Sequence, residues 1–235
     1  MPLPSQTTPP DNGLYDFVRV IVAGNAATAS RLLSNAPTLV HARCVIGATR
    51  QGPNPYFFEA IAHYMYAGDT ALHMAAAAHS SEIAQALLDR GADCFSKNRR
   101  GAQPLHYAAD ANAGNPTAQA ATIACLIQAG ADPNATDKSG VTPLHRAVRT
   151  RCAAAVESLL AGGAEPRGRN GSGSTPLHLA VQNTGASNSG TPHAIEQQRL
   201  IIGLLLEAGA SPEDKDGNGK AVRDAAKADR IRALL

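Results

Sequence analysis

Tryptophan does not occur in these 235 residues, and phenylalanine occurs only four times. A core without large rings must be filled by smaller apolar groups. The 44% hydrophobic content is mostly alanine and leucine, which suits closely packed helices rather than aromatic-filled sheets. No apolar run approaches the roughly 20 residues that a membrane-spanning helix needs, so no membrane role is expected. The opening MPLPSQTTPPDNG has neither the basic nor the apolar region of a secretory leader, and a cytoplasmic location follows as the expectation. Cys44, Cys94, Cys125 and Cys152 form no CxxC pair and read as reduced, buried or incidental thiols. A net charge of +2 is too small to speak for nucleic acid. Phosphate-binding glycine loops, HExxH and GxSxG are missing too, so no cofactor, metal or catalytic residue is assigned and an enzyme is not the expected class.

What the chain does contain is repetition. TALHMAAAAH, QPLHYAADAN, TPLHRAVRTR and TPLHLAVQNT begin at Thr70, Gln103, Thr142 and Thr175, at offsets of 33, 39 and 33 residues. Each precedes an apolar run ending in Gly-Ala: IAQALLDRGAD, IACLIQAGAD, AVESLLAGGAE and IIGLLLEAGAS. A degenerate copy lies in FVRVIVAGNAATASRLLSNAPTLVHAR and a truncated one in GKAVRDAAKADRIRALL. The pattern resembles the ankyrin repeat, a 33-residue unit carrying TPLHxA, a second helix ending in LL, and GADxN before a tight turn.

The resemblance runs from about Tyr15 to Leu235. It implies an all-α solenoid of about six helix-turn-helix units with hairpin-like connecting loops. The expected division is a tail at 1–14 and one domain at 15–235, with units near 15–43, 70–102, 103–141, 142–174, 175–220 and 221–235 and an aromatic insertion at 44–69. Thr and Pro at the start of each first helix supply a cap and a preset φ. His73, His106, His145 and His178 recur at one framework position. They are read as capping and inter-repeat hydrogen-bonding groups, because stacked units hold such positions roughly 10 Å apart, too far for a shared metal.

Departures from the repeat are where function is sought. ANAGNPTAQ and TGASNSGTPHAIEQQ, rich in Gly, Ser, Asn, Thr and Pro, read as surface loops between the two helices of a unit. The excess between Arg43 and Gly68 is different: Tyr56, Phe57, Phe58, Tyr64 and Tyr66 are five of the nine aromatic residues in the chain. Two readings stand open, a hydrophobic lid over the first units or a ligand-contacting wall. Spacing would place Glu59 and His63 on one helical face as an i, i+4 pair, either for acid–base chemistry or as a surface pair. His79 stands where the turn usually has Gly, and Arg151 likewise.

The family carries specificity at hairpin tips and at the exposed end of each first helix. Carried over, this implies Lys97, Arg99 and Arg100 on one tip, Tyr107 and Asp110 on the third unit, and Lys138 and Ser139 on the next tip. Arg146, Arg149 and Arg151 follow on the fourth unit and Gln182 and Asn183 on the fifth, with Tyr64 and Tyr66 added by the insertion. Asp110 is expected to position one of the arginines. The strip is basic in its middle units, which favours an acidic surface or segment of a protein partner. The expected function is therefore a monomeric protein-interaction module using its concave face. The alternative is a small-anion-binding protein or unusual enzyme with a pocket between the insertion and the concave arginines.

Overall fold

The computed structural model describes residues 13–110, 115–182 and 190–235. Its helices come in consecutive pairs: α1 (Leu14–Val22) with α2 (Ala26–Asn35), α3 (Ala71–Ala77) with α4 (Ser81–Leu88), and α5 (Pro104–Ala109) with α6 (Pro116–Gln128). After these come α7 (Pro143–Thr150) with α8 (Ala153–Ala161), α9 (Pro176–Ala180) with α10 (Pro192–Glu207), and α11 (Val222–Ala225) with α12 (Asp229–Arg232). First helices stack in one row, α1, α3, α5, α7, α9 and α11, and second helices in another, α2, α4, α6, α8 and α10. Every interior unit is thus buried by its neighbours, with Leu72, Leu105, Leu144 and Leu177 fully covered between the rows.

Histidine ties each unit to the next. The amide of Thr70 donates to His73 Nδ1 at 3.1 Å, so Nε2 carries the proton and donates to the Ala102 carbonyl at 3.1 Å. His106, His145 and His178 repeat this, reaching the carbonyls of Val141, Ser174 and Lys220 at 3.1, 3.0 and 3.2 Å. Both ring nitrogens are used, as expected of capping and inter-repeat groups. Burial favours the neutral form of three of these imidazoles: those of His73 and His145 titrate below the ordinary range, and that of His106 is pushed down to about 4, by burial first and then by Arg146.

The tips between units are built by an Asx residue in each. Asn98, Asp137, Asn170 and Asp216 accept backbone amides two and four residues ahead, closing a tight turn. Successive tips are stitched together: the amides of Arg99, Lys138, Gly171 and Gly217 donate to the carbonyls of Ala67, Arg100, Ser139 and Ser172 at 2.8 to 3.0 Å. At Gly173, where φ is +74°, a Cβ would stand 2.5 Å from the Gly217 nitrogen, so glycine is required for the tips to meet.

Two sequence expectations need correction. The C-terminal parts of ANAGNPTAQ and TGASNSGTPHAIEQQ are helix, because Asn115 and Thr191 cap α6 and α10 and Pro116 and Pro192 stand at their first positions. The inserted residues lengthen the second helices, and buried Gln119 and Gln198 bond back to the ends of α5 and α9. Residues 111–114 and 183–189, with Asn183, lie outside the described residues. Glu59 and His63, in turn, share no helix. Glu59 starts a single 3-10 turn, whereas His63 lies in a two-residue strand β2 (His63–Tyr64) paired antiparallel with β1 (Phe57–Phe58). Left-handed Ala62, φ 47°, reverses the chain between them.

The insertion is a hairpin excursion closed at its base, where the Cys44 amide donates to the Asp69 carbonyl at 2.8 Å and the Gly68 amide to Cys44 at 2.7 Å. One side is a lid. Tyr56, Phe58, Ile61 and Met65 are buried, Tyr15 of α1 packs on Tyr56 and Phe58 with ring centroids 6.4 and 5.5 Å away, and its hydroxyl donates to the Pro55 carbonyl at 2.7 Å. The other side turns Tyr64 and Tyr66 toward the tips and first helices.

Candidate functional site

A cleft of about 590 Å³ lies between the insertion and the ends of α5 and α7. Ten of the fourteen implied residues line it: Tyr64, Tyr66, Arg99, Arg100, Tyr107, Asp110, Lys138, Ser139, Arg146 and Arg149. Lys97 and Gln182 do not. Lys97 is exposed on the outer side of its tip, where its carbonyl accepts from Arg43 at 3.3 Å, and Gln182 lies beyond the cleft with its carbonyl taken by Arg151 and Gln198.

The floor is a polar network centred on Arg146, whose two terminal nitrogens are paired and whose buried Nε is not. Arg146 Nη1 donates to Asp110 Oδ2 at 2.6 Å and its Nη2 to Asp137 Oδ2 at 3.1 Å, leaving only 11% of the side chain exposed. Arg149 reaches the other oxygen of Asp110 at 3.3 Å yet stays 63% exposed. Asp110 therefore positions two arginines, and its carboxyl ionises below the usual range: burial opposes this and is outweighed by His63 and Arg146. Asp137 is depressed likewise, with the Ser139 amide and Arg146 outweighing its burial. The same two carboxylates outweigh the burial of Arg146 and raise its own pKa.

Two candidates change role on this evidence of burial. Tyr107, implied to be exposed at the end of a first helix, is 1% exposed because its ring is packed 4.5 Å from His63 and 5.1 Å from His73. Its hydroxyl donates to buried Asp69 at 2.8 Å and accepts from Asn98 at 2.9 Å, and burial, then Asp69, pushes the phenol well above its ordinary range. Arg146 is likewise a strut in the floor rather than a projecting contact.

The upper wall is cationic and aromatic. The guanidinium carbons of Arg99 and Arg100 stand 5.3 and 5.0 Å from the ring centre of Tyr66, within cation–π range. The Tyr66 backbone amide donates to Asp69 Oδ2 at 2.5 Å, and the ring of Tyr64 lies 6.2 Å from that of Tyr66. Arg99 also donates to the Ala48 carbonyl. Neither Arg100 nor Lys138 meets a carboxylate among the described residues, and both are exposed.

Sequence reasoning missed Asp69, Asn98 and Asp137, and it paired His63 with Glu59 where the structure sets it beside Asp110. His63 Nδ1 donates to the Tyr64 carbonyl at 2.8 Å and Nε2 lies 3.7 Å from Asp110, linking the insertion to the concave face. Signals existed for the three missed residues: Asp69 precedes a framework Thr where the other units have Ala102, Val141 and Ser174, and the tip Asx, here Asn98 and Asp137, recurs in register.

Comparison with known proteins agrees with the repeat architecture. A family profile described as ankyrin repeats (many copies) matches residues 58–108 and 126–180, and the single ankyrin repeat profile matches 100–138. The E3 ubiquitin-protein ligase KEG of Arabidopsis thaliana is 32% identical over 152 residues, a stretch that covers 60% of this chain and 9% of the ligase. The chain thus spans a small fraction of that relative's length.

Proposed function

Because this chain belongs to the ankyrin-repeat family, whose repeats generally mediate protein–protein interaction, we propose that it is an interaction module that receives an acidic segment of a partner protein in the cleft on its concave face. The observation that carries the reading is the charge of the cleft wall. Five cationic side chains line it against two carboxylates, a net of +3 before His63 is counted, while the whole chain carries +2. The carboxylates are spent on Arg146 and Arg149, so Arg99, Arg100 and Lys138 are left facing solvent for a partner. Pre-positioned guanidinium groups favour carboxylate or phosphate partners, and the open cationic rim favours fast, salt-sensitive association.

Reversing Arg100 and Lys138 together to glutamate is the direct test, because neither side chain makes a hydrogen bond or an ion pair among the described residues and Arg100 meets only the face of Tyr66. The double variant should retain the wild-type melting temperature and lose partner capture from native extract, with affinity for the isolated partner down by about 2–4 kcal/mol. Unchanged affinity overturns the site. A second reading, a small anionic molecule in the same cleft, is favoured by the volume and by the Tyr64 and Tyr66 wall, since ligand sites commonly enclose about 300–1,000 Å³. In that case the anion, not a polypeptide, is lost on the same reversal.

A further inference from the structure

We infer that the acidic group for which the cleft mouth is built is a phosphomonoester dianion, carried as phosphoserine or phosphothreonine on the partner segment. The inference rests on the acidic-partner reading above and names the chemistry of that partner.

Two guanidinium groups sit on one tyrosine ring, 5.3 and 5.0 Å from its centre, with no carboxylate on either among the described residues. Water and salt screen part of the repulsion between these two exposed cations, and an anion between or beside them relieves the rest. A single carboxylate is satisfied by one guanidinium fork and would leave the second guanidinium and Lys138 uncompensated. A phosphomonoester brings about −1.5 to −2 charges and three strong acceptor oxygens, which matches three cations converging on one mouth. The arrangement is also rigid: Tyr66 is anchored through its amide to Asp69, and Arg99 through Ala48, so little side-chain freedom is lost on binding.

The depth at which the charges lie selects the carrier. Arg99, Arg100 and Lys138 are exposed at the rim, while the floor is shut by Tyr107 and by the Arg146 strut with its two carboxylates. A phosphate on the short side chain of serine or threonine meets the rim while its backbone lies across the mouth. A phosphotyrosine would carry its phosphate past the rim toward Asp110 and Asp137, whose charges Arg146 and Arg149 already balance, so no excess positive charge meets it there.

Fluorescence anisotropy with four acidic peptide pools tests this. The pools share degenerate flanks of Asp, Glu and Gly, with phosphoserine, phosphotyrosine, glutamate or serine at the centre. The phosphoserine pool should bind at least about tenfold tighter than the glutamate pool. That preference should fall to near unity in Arg100→Gln and in Tyr66→Leu, and persist in Lys227→Gln, an exposed cation remote from the cleft. Equal, Arg100-dependent binding of the phosphoserine and glutamate pools overturns the phosphate assignment and leaves the acidic-partner reading standing. Absence of Arg100-dependent binding for every acidic pool overturns both. A phosphotyrosine pool that binds as tightly as phosphoserine overturns the carrier, and full displacement by millimolar inorganic phosphate reassigns the site to a free anion and overturns the segment.

Discussion

Replacing Arg146 with methionine tests whether that side chain is a strut or a contact. In the native protein its guanidinium bridges Asp110 at 2.6 Å and Asp137 at 3.1 Å with 11% of the side chain exposed. Removing one partner of a buried ion pair costs about 3–5 kcal/mol because the other charge is left uncompensated. Here the penalty is softened. Asp110 keeps Arg149 at 3.3 Å, Asp137 keeps the amides of Ser139 and Val141, and the two carboxylates are 17% and 11% exposed. The expected loss is therefore about 2–3 kcal/mol, which for an array of this size lowers the melting temperature by about 5–10 °C. Urea denaturation followed by circular dichroism measures it, with Arg149→Met as the exposed comparison at about 0.5 kcal/mol or less. The pH dependence has a defined sign. Asp110 and Asp137 are depressed in the fold, so their share of stability is present above the ordinary carboxylate pKa of 3.8 and is lost as pH falls through the folded value. The gap between wild type and Arg146→Met should thus be widest above about pH 5 and close below 3.8. Equal stability of the two proteins at pH 7 would refute the strut.

The framework histidines predict a second acid response. His106 is held near 4 against an ordinary 6.5, so the unfolded chain binds the extra proton and stability should fall as pH drops from about 6.5 to about 4; a urea midpoint that stays flat across that window counts against it. Phe58→Ala should cost about 3 kcal/mol, since the ring is buried against Tyr15, whereas a melting temperature within 2 °C of wild type would reject the lid. In the same variant the rim cations keep their places, so affinity for an acidic peptide should change by less than about threefold.

What can be read from the chain is what recurs. Four copies of the TPLH register expose the helix pairs and the histidine bonds, because each copy answers the same neighbour in the same way. Arg146 and Arg149 show the limit of that reading. They stand three residues apart on one helix, both suited to a concave face, yet one is 11% and the other 63% exposed. Asp110 comes from the preceding unit and Asp137 from the preceding tip, and only their joint position decides which arginine is drawn down. Tyr107 is misplaced by local reasoning for the same reason: the carboxylate that buries it, Asp69, lies 38 residues away.

The hairpin before the second unit explains why an open concave face becomes a cleft here. Its inner side is held to the scaffold by apolar rings that any lid would use, Tyr56 and Phe58 on Tyr15. Its outer side has a different task, because Tyr66 gathers Arg99 and Arg100, two residues supplied by the repeat and not by the insertion. The later tips carry Gly171-Ser172 and Gly217-Asn218 at the corresponding places and have no charge to gather. Basic tips and the aromatic wall occur only side by side, so neither the repeat nor the insertion defines the site alone. Grafting the hairpin before a unit with uncharged tips should therefore reproduce the lid and not the anion affinity.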